Sequence, residues 1–359
     1  MSRIHARSTS VRRNQAGLVS IMVTMVLMIV ISLIVLGFAQ ISRRNQRQQL
    51  DRQLSTQAFY AAETGVNDAR DLILKALATG ATPAAKPDCQ STGSGFYSGL
   101  NPVLNAADNV SYTCLTVDPN PTTLQYSDIG ATSAILPVQS ATGDVLSTIK
   151  LTWQTKDNTS TPVNGCPTSA TSAFSDAATW TASNCGYGVL RFDLVPTTGV
   201  LSSSSLLSST MTTFAVPLRS GGTNAVGYAG GATNGNNRVG VACSNSNCTL
   251  TITGLSKTQY YMRISSIYKD VSLQVNATNA AAGTVKLEGA QAVIDSTGKA
   301  QDVLRRIQVH VPLQSVSKNS LPDYALESTD AICKRFAVYD GYFNNQVSGV
   351  TSTNPLCQP

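Results

Sequence analysis

The sequence predicts an α+β protein: one long N-terminal α-helix, transmembrane and then amphipathic, followed by a β-rich, disulfide-stapled head. Three observations carry this reading. An unbroken apolar run fills residues 18–41, a helix-period stripe continues from it through 42–79, and period-two alternation fills the remainder, where all eight cysteines lie.

Composition sets the frame. The chain has 359 residues, of which only 13% are charged, about half the usual share for soluble domains. Ser, Thr, Asn and Gly fill the shortfall, which suits strands and loops facing water outside a cell. The net charge of +6 is local. Arg3, Arg7, Arg12 and Arg13 precede the apolar run, Arg43, Arg44, Arg47 and Arg52 follow it, and the first acid is Asp51. Beyond these flanks the chain is nearly neutral. It shows no basic patch interleaved with aromatics, so no nucleic-acid partner is expected.

Residues 18–41 are apolar or small except Ser20, Thr24, Ser32 and Gln40. As helix they span roughly 36 Å, enough for a hydrocarbon core of about 30 Å. A cleaved secretory signal has a shorter apolar core and ends in a small-residue site; this run is too long and lacks one. With four arginines on each side, flanking charge does not orient the span. Residues 1–17 form a basic leader that ends in Gly17.

The amphipathic extension covers 42–79. Leu50, Leu54, Ala58, Ala61, Ala62, Val66, Ala69, Leu72, Ile73 and Leu77 recur at spacings of three and four, the period of a helix with one apolar stripe. Nothing breaks the join near Ser42, and Gly80 and Pro83 supply the stop. The expectation is a single helix from Leu18 to about Ala78, roughly 90 Å long.

The head, 80–359, reads as short strands between polar turns. "STIKLTWQT" sets Ile149, Leu151 and Trp153 on one face, and "YGVLRFDLVP" does the same with Leu190, Phe192 and Leu194. "YYMRISSIY", "VSLQVNA" and "LRRIQVHVPL" repeat the signal. "RSGGTNAVGYAGGATNGNNR" reads as a long exposed loop, and a division of the head into two lobes is expected near 220–237. No internal repeat is present.

Cys89, Cys114, Cys166, Cys185, Cys243, Cys248, Cys333 and Cys357 are even in number and all follow the membrane run. Zinc sites use close pairs such as C-x2-C. Here only Cys243 and Cys248 are close, with no histidine nearby, so disulfides are expected and no metal. Connectivity stays open; sequential pairing would make four short loops. Disulfides belong to an oxidising compartment, which places the head outside the membrane.

Motifs for catalysis are missing. Of the two histidines, His5 lies in the leader and His310 on the polar face of the strand bearing Ile307, Val309 and Val311, where it reads as an exposed sheet residue. There is no G-x-S-x-G, H-E-x-x-H or phosphate-cradling loop. Asp193 and Asp295 have no partner identifiable in the sequence, and "DPNP" and "KDNTSTPVNG" lack the ligand spacing of a calcium loop. The N-x-[ST] triplets at Asn109, Asn158, Asn247 and Asn276 arise easily by chance in so Ser/Thr-rich a chain. No enzyme and no cofactor are expected.

Together the basic leader ending in Gly17, the apolar helix, and "QAFYAAETGVNDA" resemble the type IV pilin superfamily, and within it PilX-type minor pilins. The "QAFxAAExG" pattern is carried by Gln57, Ala58, Phe59, Ala61, Ala62, Glu63 and Gly65. The firm resemblance covers about the first 75 residues. It implies prepilin-peptidase cleavage between Gly17 and Leu18, N-methylation of the new terminus, and partnership with other pilins through the N-terminal helix and with inner-membrane assembly machinery. It also implies a single-pass protein of the cytoplasmic membrane that reaches the cell surface in a pilus, where it could act in adhesion. Glycine at the cut has a physical rationale, since it lets the chain leave helical geometry and enter a cleft.

Two departures matter. Major pilins of this family carry a glutamate where this chain has Met22, and Leu18 replaces the commoner Phe or Met. A carboxylate in lipid persists only where a partner exists. Its absence points away from a bulk shaft subunit and toward a minor, tip or initiating one. Glu63 reads either as a solvated helix residue or as a contact to the head or a neighbouring subunit. The small residues around it suit close approach to either. The rival readings are a signal-anchored surface adhesin that is neither processed nor polymerised, and a membrane-anchored hydrolase with a scattered active site.

Overall fold

The computed structural model describes residues 16–90, 93, 95–156, 163–170, 180, 185–197, 209–229, 238–244 and 247–313. One helix, α1, runs unbroken over Ala16–Ala78. Its 63 residues make a rod of roughly 95 Å. It is long and apolar enough to cross a membrane. Every residue from 20 to 53 is exposed. The rod stops where the sequence indicates. Gly80 takes a left-handed φ of 75°, its amide bonds to the Leu77 carbonyl, and the Ala81 amide reaches back to Ala76 at 2.9 Å. This is a Schellman cap, which answers the unpaired carbonyls of the last turn.

Fifteen strands follow among the described residues: β1 Val103–Asn105, β2 Val110–Asp118, β3 Thr123–Ile129, β4 Ala134–Ser140, β5 Leu146–Thr155, β6 Val189–Pro196, β7 Met211–Leu218, β8 Ala225–Gly227, β9 Arg238–Ala242, β10 Cys248–Thr253, β11 Gln259–Ile267, β12 Val271–Asn279, β13 Leu287–Glu288, β14 Gln291–Ala300 and β15 Val303–Pro312. The described residues form two compact units, one within 16–119 and 292–313 and one within 120–291. Both boundaries differ from the 220–237 expected, a stretch whose last eight residues lie outside those described.

The first unit sets α1 against a four-stranded sheet of order β1-β2-β14-β15. Val66, Ala69 and Ile73 of the helix share a core with Tyr112, Leu115, Val117, Ala292, Ile294 and Val311. Ala58 and Ala61 pack near Val110 and Ala300, at the end of the seam nearest the apolar stretch. β15 turns its odd positions to the helix: Ile307 and Val309 line the core, and Arg305 Nε donates to Ser55 Oγ at 2.8 Å.

The second unit is a two-sheet sandwich. A five-stranded sheet of order β3-β12-β5-β10-β8 and a six-stranded sheet of order β13-β4-β11-β6-β7-β9 share one core. Ile149, Leu151 and Trp153 enter that core from β5, as the alternation predicts, and Tyr260, Met262 and Ile264 enter it from β11. β6 departs from simple alternation. Leu190, Phe192 and Leu194 face the core, yet Val189, Asp193 and Val195 on the other face are buried too. The loop expected at 219–238 holds an additional strand, β8, which pairs in parallel with β10 through Ala225, Val226 and Gly227. Glycine-rich stretches carry little strand propensity, and the neighbouring strand supplies the pairing.

Candidate functional site

Gly17 and Leu18 fall inside α1, at its second and third positions. The apolar stretch that follows exposes Ile21, Met22, Val23, Met25, Val26, Leu27 and further large apolar side chains to Ile41. Among the described residues no side chain covers them. Arg43, Arg44, Arg47 and Arg52 close this stretch on its far side, all exposed.

The motif around Glu63 splits between two faces. Ala58, Ala61 and Ala62 are fully buried and Gly65 is buried with them, whereas Gln57, Phe59 and Glu63 are exposed. The cause is a close approach of β14 to the helix. A Cβ at Gly65 would stand 3.0 Å from Tyr112 Cγ and would overlap Ser296 Oγ. Gly298, on the facing strand, lies directly on the Ala58 carbonyl and the Ala62 amide, and a Cβ there would meet Ala61 Cβ at 2.9 Å. Only glycine and alanine fit so tight a seam. The small-residue face is therefore taken up by the chain's own sheet. Tyr112 anchors the seam, its hydroxyl donating to Asp68 Oδ2 at 3.0 Å. Burial and this carboxylate push the phenol's pKa well above its ordinary value.

The exposed side of the same helix is largely polar, with Arg52, Gln53, Asn67, Arg70 and Asp71 among its residues, and carries a few large apolar side chains. Leu50, Phe59, Tyr60 and Leu74 are all exposed, and Phe59 meets Tyr60 edge to face with ring centroids 6.0 Å apart. Glu63 is exposed on the side away from the sheet and makes no hydrogen bond or ion pair among the described residues.

Cysteines pair in sequence order: Cys89 with Cys114, Cys166 with Cys185, and Cys243 with Cys248, at Cα separations of 4.7, 4.3 and 4.2 Å. Cys333 and Cys357 lie outside the described residues. Among the described residues no group of three His, Cys, Asp or Glu side chains is placed to hold a metal ion.

Both aspartates left unpartnered by sequence reasoning are paired. Asp295 accepts from Arg306 Nε at 2.8 and 2.9 Å, across the β14–β15 hairpin, and from Arg306 Nη2 as well. That partner was legible in principle, because a two-residue turn at Gln301 and Asp302 sets the register. Asp193 accepts from Arg263 Nε at 2.7 Å, with Arg191 Nη2 at 3.6 Å. Arg263 lies 70 residues away in the chain, and no local signal announces the pairing. His310 also differs from expectation. It is half-buried rather than open to water, its Nδ1 makes no hydrogen bond among the described residues, and desolvation lowers its pKa.

No family model, curated protein or solved structure matches this chain.

Proposed function

We propose that the chain is a non-enzymatic structural subunit, a minor pilin or pseudopilin-like protein of a type IV pilus or related filament. One observation carries the proposal: a single rod of 63 residues packs one side of its far half against its own sheet, and no other described residue covers its apolar near half. The exposed apolar surface is the stretch from Ile21 to Ile41, with Leu50, Phe59, Tyr60 and Leu74 scattered among polar residues beyond it. Apolar area of this extent must be removed from water. Lipid covers that stretch in the membrane, and like rods packed in parallel receive it when it leaves the bilayer.

In this reading the leader is cut between Gly17 and Leu18 and the head stays outside the membrane, where the disulfides persist. Met22 in place of a family glutamate favours a minor or tip position over the shaft. Partners are other pilins, the prepilin peptidase and the inner-membrane assembly machinery.

The test is Gly17→Trp in the full chain, read by intact mass and by surface piliation. Loss of processing together with loss of filaments supports the proposal. A mature protein that keeps Met1, with normal surface display, shows a signal-anchored adhesin instead.

A further inference from the structure

The six-stranded sheet of the second unit carries a polar square on the face turned away from the shared core. Register pairs Asp193 with Arg263 and Arg191 with Ser265 across β6 and β11. Positions two apart on a strand share a face, so all four side chains stand together. They line a cleft of about 300 Å³, completed by Ala131, Thr132 and Ser133 from the segment between β3 and β4.

The square is built rather than incidental. The Asp193 side chain is 4% exposed and braces the guanidinium of Arg263. Arg191, 44% exposed, is held on two sides, by Asp193 and by the ring of Phe214 at 5.9 Å. Cation–π and ion-pair contacts of this kind fix a guanidinium's plane before any ligand arrives.

Charge does not balance within the cleft. Two guanidinium groups face one carboxylate, and among the described residues no other charged group lines it. The excess is one positive charge, on groups whose forked donors match an oxoanion. Hydroxyls of Thr132, Ser133 and Ser265 add both donors and acceptors. A bare phosphate at neutral pH has little to donate to these acceptors and leaves much of the cleft unfilled. A sugar bearing a carboxylate satisfies both sides. Its acid group meets Arg191, and its ring hydroxyls meet the serine and threonine side chains. The cleft's volume lies at the small end of ligand pockets, the scale of one sugar residue.

We infer that this cleft binds the carboxylated residue of an acidic saccharide, with Arg191 and Arg263 as binding residues and Asp193 as their positioning residue. The site is formed by residues of the second unit alone, so it holds whether or not the chain enters a filament.

The experiment is calorimetric titration of the full chain in detergent micelles with D-glucuronate and N-acetylneuraminate, beside D-glucose and inorganic phosphate. One of the acids binds, glucose binds at least ten-fold more weakly, and phosphate does not match the acid. Arg191→Gln weakens the acid at least ten-fold. Arg191 is well exposed and its contact to Asp193 is the longer one, so the fold survives this change, checked by an unchanged melting temperature. Thr132→Val, at an exposed position without an ion pair, weakens binding by about three-fold. Absence of binding by both acids, phosphate binding as tight as glucuronate, or full affinity in both variants overturns the assignment.

Discussion

Gly298 of β14 rests on the Ala58 carbonyl of α1, with the Ala62 amide beside it, in a space that no side chain can share. This one approach explains why the motif around Glu63 is rich in alanine: each added carbon there would lift the helix from its sheet.

Gly298→Ala is expected to cost about 1–3 kcal/mol, the range for overpacking a fitted seam. The obstacle is helix backbone, which cannot swing aside as a flexible side chain can. Urea unfolding of the full chain in micelles, followed by near-UV dichroism, measures it. An unshifted midpoint would show that the seam is looser than the geometry states.

Tyr112→Phe removes the hydroxyl that reaches Asp68 and leaves the ring in place. A loss of about 1 kcal/mol is expected, the net worth of one such hydrogen bond. A double-mutant cycle with Asp68→Asn should show coupling between the two positions. Additive effects would mean that the bond contributes nothing of its own.

His310 makes stability depend on pH. Burial lowers its pKa below the ordinary 6.5, so the unfolded chain binds the proton more readily than the folded one. Stability attributable to this residue is thus complete above pH 6.5, starts to fall as pH drops through that value, and stops falling below the folded pKa. The difference in melting temperature between wild type and His310→Gln, followed from pH 8 to pH 5, should change in that window. A constant difference would place His310 in contact with water.

Cys166 and Cys185 are buried, and their bond closes a segment with a sequence separation of 19. Replacing both by alanine should destabilise the second unit by about 2–4 kcal/mol, through the freedom restored to the unfolded chain. Thermal melts with and without reductant measure it. The double variant should be insensitive at this bond, and a reductant effect equal to that of wild type would assign the stabilisation to the other disulfides.

Particular residues show what was legible from sequence. The helix was, because Leu50 to Leu77 repeat at a period set by backbone geometry alone. Its end was, because Gly80 adopts the φ that other residues avoid. Ile149, Leu151 and Trp153 were, because one face of β5 is covered and the other wetter. β7 was not. Ala215, Val216, Pro217 and Leu218 are buried in succession, and a strand covered on both faces loses its alternation. β8 was hidden for another reason: only Val226 favours a strand, Ala225 and Gly227 do not, and β10 supplies the pairing.

The candidate sites divide along the same line. Gly17, Leu18 and the motif from Gln57 to Gly65 are contiguous in the chain and could be found by reading it. Which of those residues turn inward could not. Ala58, Ala61, Ala62 and Gly65 suit a neighbouring helix as well as a sheet, and only the placement of β14 assigned them to the sheet. Arg191, Asp193 and Arg263 form one cluster only because β6 and β11 pair in a given register; a slip of one residue would send them to opposite faces.

What the sequence determined alone is everything governed by short-range periodicity: a continuous rod, its apolar and striped halves, its stop, and strands with one wet face. Tertiary structure decided the partners of charged groups, the use of the small-residue face and the division into two units. The physical reason is range. Backbone geometry repeats within a few residues and leaves its period in the chain, whereas cross-strand register and close packing join positions tens to hundreds of residues apart, as Ser55 and Arg305 are joined across 250.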